Sequence, residues 1–250
     1  MKRIIPLLMI IMLLCGCESP LNKADTPMDA AVTMKYKLDN GQDKAIFWGE
    51  NLTGDDTFQM LESIYPYAFS MEFLYYPIGI TEISVDVANR EKQRQAYLIA
   101  EQIAKNEVRG LTTQVDMLAA LHDYLILNCK YDVEASEQEN LDGTDSAFTA
   151  YGALIDGKAV CSGYARAYMM LCQAVGLDVI YISDEDMNHS WNAVMLDGQV
   201  YFIDCTFDDP VPDQGDKVIR KYFLKTKDEF KQSHTWNDEF YDAIIKELYA

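Results

Sequence analysis

Basic residues are scarce in this chain: 21 lysines and arginines stand against 40 acidic residues, giving a formal charge of −19 and a pI near 4.4. A duplex nucleic-acid binder needs a basic stripe to displace counterions, so that class is excluded. Long hydrophobic runs are missing too. The longest, Ile4 to Leu14, is eleven residues, against the roughly 20 a bilayer-spanning helix needs, which excludes a multi-span membrane protein. The six cysteines contain no CxxC pair to suggest zinc and are too sparse for a disulfide framework. Thirteen glycines and seven prolines exclude collagen, and 49% hydrophobic with 24% charged residues is not a disordered tail. No internal repeat is present. What remains is 250 residues, ample chain to bury a core as one large domain, or a core with an extension.

The start reads as a targeting segment. Lys2 and Arg3 precede the apolar run, which has the length of a signal h-region and ends Leu14-Cys15-Gly16-Cys17. A leucine three residues before a cysteine, with glycine between, resembles the bacterial lipoprotein signal. The resemblance implies cleavage after Gly16, a lipidated Cys17 at the new N-terminus, and a location outside the cytoplasmic membrane but held to it. A signal peptide cut near Ser19 or an uncleaved anchor are the other readings of the same run. Loss of Lys2 and Arg3 leaves 19 bases against 40 acids, a charge of −21. Residues 17–30, with Ser19-Pro20 and Thr26-Pro27 and no periodicity, read as a tether.

An extension over residues 31–110 is expected to mix strands and helices. Residues 31–38 alternate weakly, as an edge strand would. Asp55 to Tyr65 reads as a helix, Ala68 to Val87 as one or two strands, and Asn89 as the start of a helix to Val108. From 111 to 250 a core domain is expected. Thr113-Gln-Val-Asp116 opens a helix to about Leu127 whose apolar face includes His122, read as a core histidine. Asp132 to Thr144 is a polar loop, and Ser146 to Ile155 a further helix.

The chemistry concentrates beyond residue 157. Cys161 opens a helix carrying Ala165, Tyr168, Cys172 and Val175 on one face and ended by Gly176. At a helix start, unpaired N–H groups and the positive end of the dipole favour a thiolate and can receive an oxyanion. Cys172, eleven residues on, is about 16 Å away along the axis, so the two cannot be bridged.

Asp197-Gly198 between two β-rich runs predicts a two-residue hairpin. Counting from the turn pairs Leu196 with Gln199, Met195 with Val200, Ala193 with Phe202, Trp191 with Asp204 and His189 with Thr206. His189 and Asp204 then project from one face as diagonal neighbours, with α-carbons about 7–8 Å apart. A carboxylate at that distance can hold an imidazole N–H and set its tautomer. Cys205 points to the other face. Tyr151 is a candidate second oxyanion donor or a core aromatic, and Trp191 a shield against water or a packing residue. His234, near Trp236, reads as structural or as lining a cleft. Asp184-Glu-Asp186 and Asp208-Asp209 lack the spacing of a calcium loop and read as solvated acidic loops.

The motifs Gly157-Lys-Ala-Val-Cys161-Ser-Gly-Tyr-Ala165, His189-Ser-Trp-Asn192 and Tyr201-Phe-Ile-Asp204-Cys-Thr-Phe-Asp-Asp209 together resemble the transglutaminase-like superfamily of papain-like cysteine enzymes. Looser similarity extends through His122 to Tyr131 and from Tyr222 to Trp236. Phe207 stands where the family usually has tryptophan, and Cys205 where proline or valine is common. The resemblance implies an α+β fold with the cysteine-bearing helix packed on an antiparallel sheet. It also implies a triad of Cys161 as nucleophile, His189 as acid and base, and Asp204 as orienter, working through a thioester. No cofactor or metal is expected. The expected partners are a protein or peptide substrate, cell-wall peptide among them, and the membrane through its lipid anchor; nucleic acid is not one. Hydrolysis of amides is the favoured activity. Amine transfer by a protein-crosslinking transglutaminase, and a non-catalytic module retaining the fold, are the alternatives.

Overall fold

The computed structural model describes residues 21–49, 51–138, 145–215 and 217–249. The apolar run, its cleavage point and Cys17 lie outside the described residues. Two compact units divide the chain: Met1–Leu61 with Ser70–Asp86, and Glu62–Phe69 with Val87–Ala250. Among the described residues no helix is long and apolar enough to cross a membrane.

In the first unit, β1 (Leu21–Lys23), α1 (Pro27–Asp39), β2 (Lys44–Trp48), α2 (Gly54–Ile64), β3 (Phe69–Tyr76) and β4 (Ile80–Val87) follow one another. The sheet order is β1-β2-β4-β3, with β1 parallel to β2 and β2 antiparallel to β4. Two expectations are corrected here. Leu21–Lys23 is a paired strand rather than tether, and residues 31–38 are helical rather than an edge strand. The local cause is a capping box: Asp29 N donates to Thr26 Oγ1, Thr26 N donates back to Asp29 Oδ2, and Pro27 sits in the first turn. Met28, Ala31, Met34 and Leu38 then fall on one buried stripe. That three-to-four spacing outweighs the short polar–apolar alternation that suggested a strand.

The second unit is built around one helix. Its elements are α3 (Arg90–Glu107), α4 (Gln114–Asn128), β5 (Lys130–Tyr131), β6 (Lys158–Ala159), α5 (Cys161–Ala174), β7 (Val179–Asp184), β8 (His189–Leu196), β9 (Gln199–Ile203) and α6 (Asp238–Tyr249). Every residue from Gly163 to Cys172 of α5 is buried, the signature of a helix packed on all sides. Helices α3 and α4 cover it on one side, sharing a core with Tyr168, Leu171 and Cys172. The antiparallel sheet β7-β8-β9 covers it on the other, through Val179, Tyr181, Val194 and Ile203. Burial of each large side chain contributes about 1.5–3 kcal/mol. Tyr168, wholly buried, still satisfies its hydroxyl by donating to Leu118 O at 3.0 Å. On the far face of the sheet, Phe202 and Trp191 pack against Phe230 and Trp236. This is the α+β arrangement expected, with the cysteine-bearing helix against an antiparallel sheet.

Ser146 to Ile155 is not one helix. A 3₁₀ turn, Ser146–Phe148, and a π-helical turn, Gly152–Asp156, replace it. A side chain at Gly152 would place its Cβ 2.3 Å from Ser146 O and 2.9 Å from Lys158 O, so this backbone folds closely on itself before leading into β6.

Candidate active site

The segment entering Cys161 is strapped from two directions. Strand β6 pairs in parallel with β5, Lys130 to Lys158 and Tyr131 to Ala159, and Val160 N donates to Ala147 O at 3.0 Å. Gly163 is required by this approach: a Cβ there would lie 2.5 Å from Ala147 O and 2.8 Å from Ala159 Cβ. Helix α5 begins at Cys161 with Val160 as its N-cap, and no side chain caps it. The first-turn N–H groups are therefore left without a side-chain acceptor, next to the sulfur.

The four described cysteines are all free, and they differ in exposure. Cys129, Cys172 and Cys205 are buried, and burial pushes each thiol up, Cys129 to about 12. Buried thiols of that kind are inert. Cys161 is the one with solvent access.

The hairpin has the counted register from Leu196–Gln199 to Asn192–Ile203. Asp197 and Gly198 both adopt positive φ, 50° and 75°, as a type I′ turn requires. Pairing stops there, so the expected Trp191–Asp204 and His189–Thr206 pairs are not formed. Asp204 instead turns the chain into one helical turn, Cys205–Asp208, with Oδ1 accepting from Thr206 N at 2.9 Å and Phe207 N at 3.0 Å. The outcome for the site is as expected: His189 Nε2–H donates to Asp204 Oδ2 at 2.7 Å.

With Nε2 on the carboxylate, Nδ1 is the nitrogen of His189 left to face Cys161, whose thiol is close enough to be among the groups that raise the ring's pKa. Burial works to lower the pKa of His189, but the bonds to Asp204 and Cys161 outweigh it and push the ring to about 10. Asp204 is wholly buried, which works to raise it; its histidine partners prevail and hold it below the usual carboxylate range. Phe207 stacks on the His189 ring at 4.5 Å. An aromatic plane is thus retained at the position where the sequence departs from the family.

Three features exceeded the sequence reading. His234, expected to be structural, donates through Nε2 to the same Asp204 Oδ2 at 2.9 Å. One ligand atom from each of His189, Asp204 and His234 lies within 4.8 Å of the others, yet Oδ2 already accepts both N–H groups, so the cluster is a hydrogen-bond array. Tyr131 stands close to the site: burial, and next its neighbour Cys161, raise its phenol. It also lines a cavity of about 440 Å³ with Lys130, Lys158, Asp209 and Val211. Asp208 and Asp209, read as solvated, are in fact buried. Asp208 accepts from Tyr222 N and meets His122, and Asp209 accepts from Tyr164 Oη at 2.5 Å. No spacing within a short motif signals such partners.

Other candidates are structural. His122 is buried, as expected, and Tyr151 packs on the core with Lys92 Nζ 5.0 Å from its ring centre. Trp191 is 1% exposed, packed against His234 and Trp236, and its Nε1 has no partner among the described residues.

Residues 101–205 match the model of the transglutaminase-like superfamily, a span that holds Cys161, His189 and Asp204. Over those residues the chain is similar to a transglutaminase-like core. It is similar to the kyphoscoliosis peptidase of Mus musculus, 23% identical over 109 residues. That alignment takes in 38% of this chain and 16% of the mouse protein, so the chain spans about a sixth of that relative's length. Among solved structures, a TGase is 14% identical with a TM-score of 0.38, covering 73% of this chain and 59% of the other. The periplasmic domain of TgpA from Pseudomonas aeruginosa is 14% identical with a TM-score of 0.33, covering 68% and 72%. Cys161 thus opens the central helix of the second unit, and His189 and Asp204 stand at the end of its sheet.

Proposed function

We propose that this protein is a cysteine acyl-transfer enzyme that hydrolyses amide bonds, a peptidase or amidase of surface protein or cell-wall peptide. One observation carries the reading. A solvent-accessible thiol at an uncapped helix start meets an imidazole whose far nitrogen is fixed by a buried carboxylate.

The steps follow from those contacts. His189 Nδ1 takes the Cys161 proton, and the sulfur attacks the amide carbonyl carbon. The oxygen, now negative, faces the first-turn N–H groups of α5. As the C–N bond breaks, the imidazolium returns its proton to the departing nitrogen, leaving a thioester. Water then gives a proton to Nδ1 and its oxygen to the acyl carbon; the C–S bond breaks, the departing sulfur takes that proton back from Nδ1, and the acid product leaves. Asp204 keeps the ring oriented and offsets its transient charge throughout.

The resemblance of residues 1–17 to a lipoprotein signal supports a location outside the cytoplasmic membrane, anchored through Cys17. The net charge favours a cationic or neutral substrate. Labelling by an amide-mimetic cysteine electrophile tests the assignment: it is expected to vanish in Cys161→Ala and weaken in His189→Ala. Undiminished labelling of Cys161→Ala overturns it. Incubation with a glutamine peptide and a labelled primary amine is expected to give carboxylate alone; a stable amide product replaces hydrolysis with amine transfer. Partition into detergent, lost in Cys17→Ser, tests the anchor.

A further inference from the structure

His234 lies thirty residues beyond Asp204, yet its ring ends on the oxygen that His189 uses. Asp204 Oδ2 receives Nε2–H of His189 at 2.7 Å and Nε2–H of His234 at 2.9 Å, while Oδ1 receives two backbone N–H groups. The carboxylate therefore has four donors. The backbone pair fixes one oxygen, but rotation about the Cβ–Cγ bond and the entry of water at the other oxygen are resisted by His234. The histidine is itself held: Ser233 Oγ lies 2.9 Å from Nδ1, and Phe230 stacks on the ring at 3.8 Å. Both imidazoles and the carboxylate are buried. Among the described residues the other ring neighbours of His234 are Trp191, Phe207 and Tyr222, and the titratable groups beside it are Asp204, His189 and Tyr222.

We propose that His234 is a positioning residue for the reaction, a second histidine that holds Oδ2 of Asp204 where it must be to orient His189. The proposal rests on the functional reading above, because its effect is felt through His189 at Cys161. It assigns His234 the Nε2–H form, with Nδ1 free to accept from the Ser233 hydroxyl.

The test follows alkylation of Cys161 by iodoacetamide across pH, which needs no knowledge of the substrate. A thiolate–imidazolium pair gives the wild type a reactive shoulder below the range of an ordinary thiol, near 8.5. In His234→Phe, which keeps an aromatic ring for stacking but has no donor, the shoulder is expected to fall about tenfold, the scale of losing an outer hydrogen bond to an active-site group. His234→Gln keeps an N–H near the same place and is expected to restore most of it. A full shoulder in folded His234→Phe overturns the proposal, as does an equal loss in two folded variants. If His234→Phe does not fold, imidazole ¹⁵N spectra of the wild type decide. Protonated Nε2 on His234 supports the proposal, and a neutral ring with its proton on Nδ1 overturns it. A wild type with no shoulder counts against Cys161 as nucleophile, and the spectra then judge His234 by themselves.

Discussion

His122 and His189 are both buried histidines in the second unit, both bonded to carboxylates, and both have pKa values raised above the ordinary one. They differ in what their second nitrogen meets. His122 has Asp123 Oδ1 3.1 Å from Nδ1 and Asp208 Oδ2 3.2 Å from Nε2. Two acceptors leave it protonated, with no lone pair to offer. His189 has a carboxylate at Nε2 alone, and its other nitrogen points towards a thiol. The same pair of residue types is a brace in one place and, in the proposed mechanism, a proton shuttle in the other. What separates them is the partner of one ring nitrogen, a carboxylate in His122 and a thiol in His189.

The largest effect expected from breaking this contrast is at His189. His189→Ala should slow Cys161 alkylation in the acidic shoulder, and any amide turnover, by about 10²–10⁴-fold, the range of general acid–base catalysis. Stopped assays on the purified variants measure it. His122→Leu should do the reverse. Buried Asp208 loses its counter-charge while Asp123 keeps Arg220, at a cost of about 3–5 kcal/mol in unfolding free energy, and the alkylation profile of the folded fraction keeps its shape. Urea melts alongside the alkylation assay separate these outcomes.

A pH series sharpens the comparison further. The ring of His189 is held at about 10 against an ordinary 6.5, so the folded state binds this proton more tightly than the unfolded chain. Its stabilisation is complete below about pH 6.5 and is lost as pH rises through about 10. Thermal melts should therefore decline over that interval, less steeply in His189→Ala. The smallest effect is expected at Asp209, away from either histidine. Burial lifts this carboxyl from 3.8 to about 6, partly opposed by the Tyr164 bond. The folded state again holds the proton more tightly, so stability falls between about pH 4 and 6 and levels off above. Asp209→Asn retains an acceptor for Tyr164 and should remove that slope, gaining on the order of 1 kcal/mol at neutral pH.

The histidine contrast also marks how far the sequence could be read. Asp197-Gly198 fixes a hairpin register by local rules, and that register carries His189 and Asp204 to the same place even though the ladder ends at Ile203. Cys161 was legible because a helix start is written in the apolar spacing that follows it. The partners of His122 and His234 were not. Asp208 is 86 residues from His122, and His234 sits in an irregular stretch between Phe230 and Asp238 where no periodicity assigns a direction. Residues 27–39 show the opposite failure. Thr26, Pro27 and Asp29 spell a helix start, but the polar composition around them reads as tether.

Val160 carries one last consequence. Serine, threonine or asparagine at the residue before a helix usually steadies it by about 0.5–2 kcal/mol, and this chain has valine there. A hydroxyl at that spot would offer its own oxygen to the N–H groups that the proposed mechanism assigns to the substrate's oxygen. Val160 is also buried, so in Val160→Ser the lost apolar packing offsets the gain from the cap, and the variant should work slower, carrying a competitive inhibitor one residue ahead of its own sulfur.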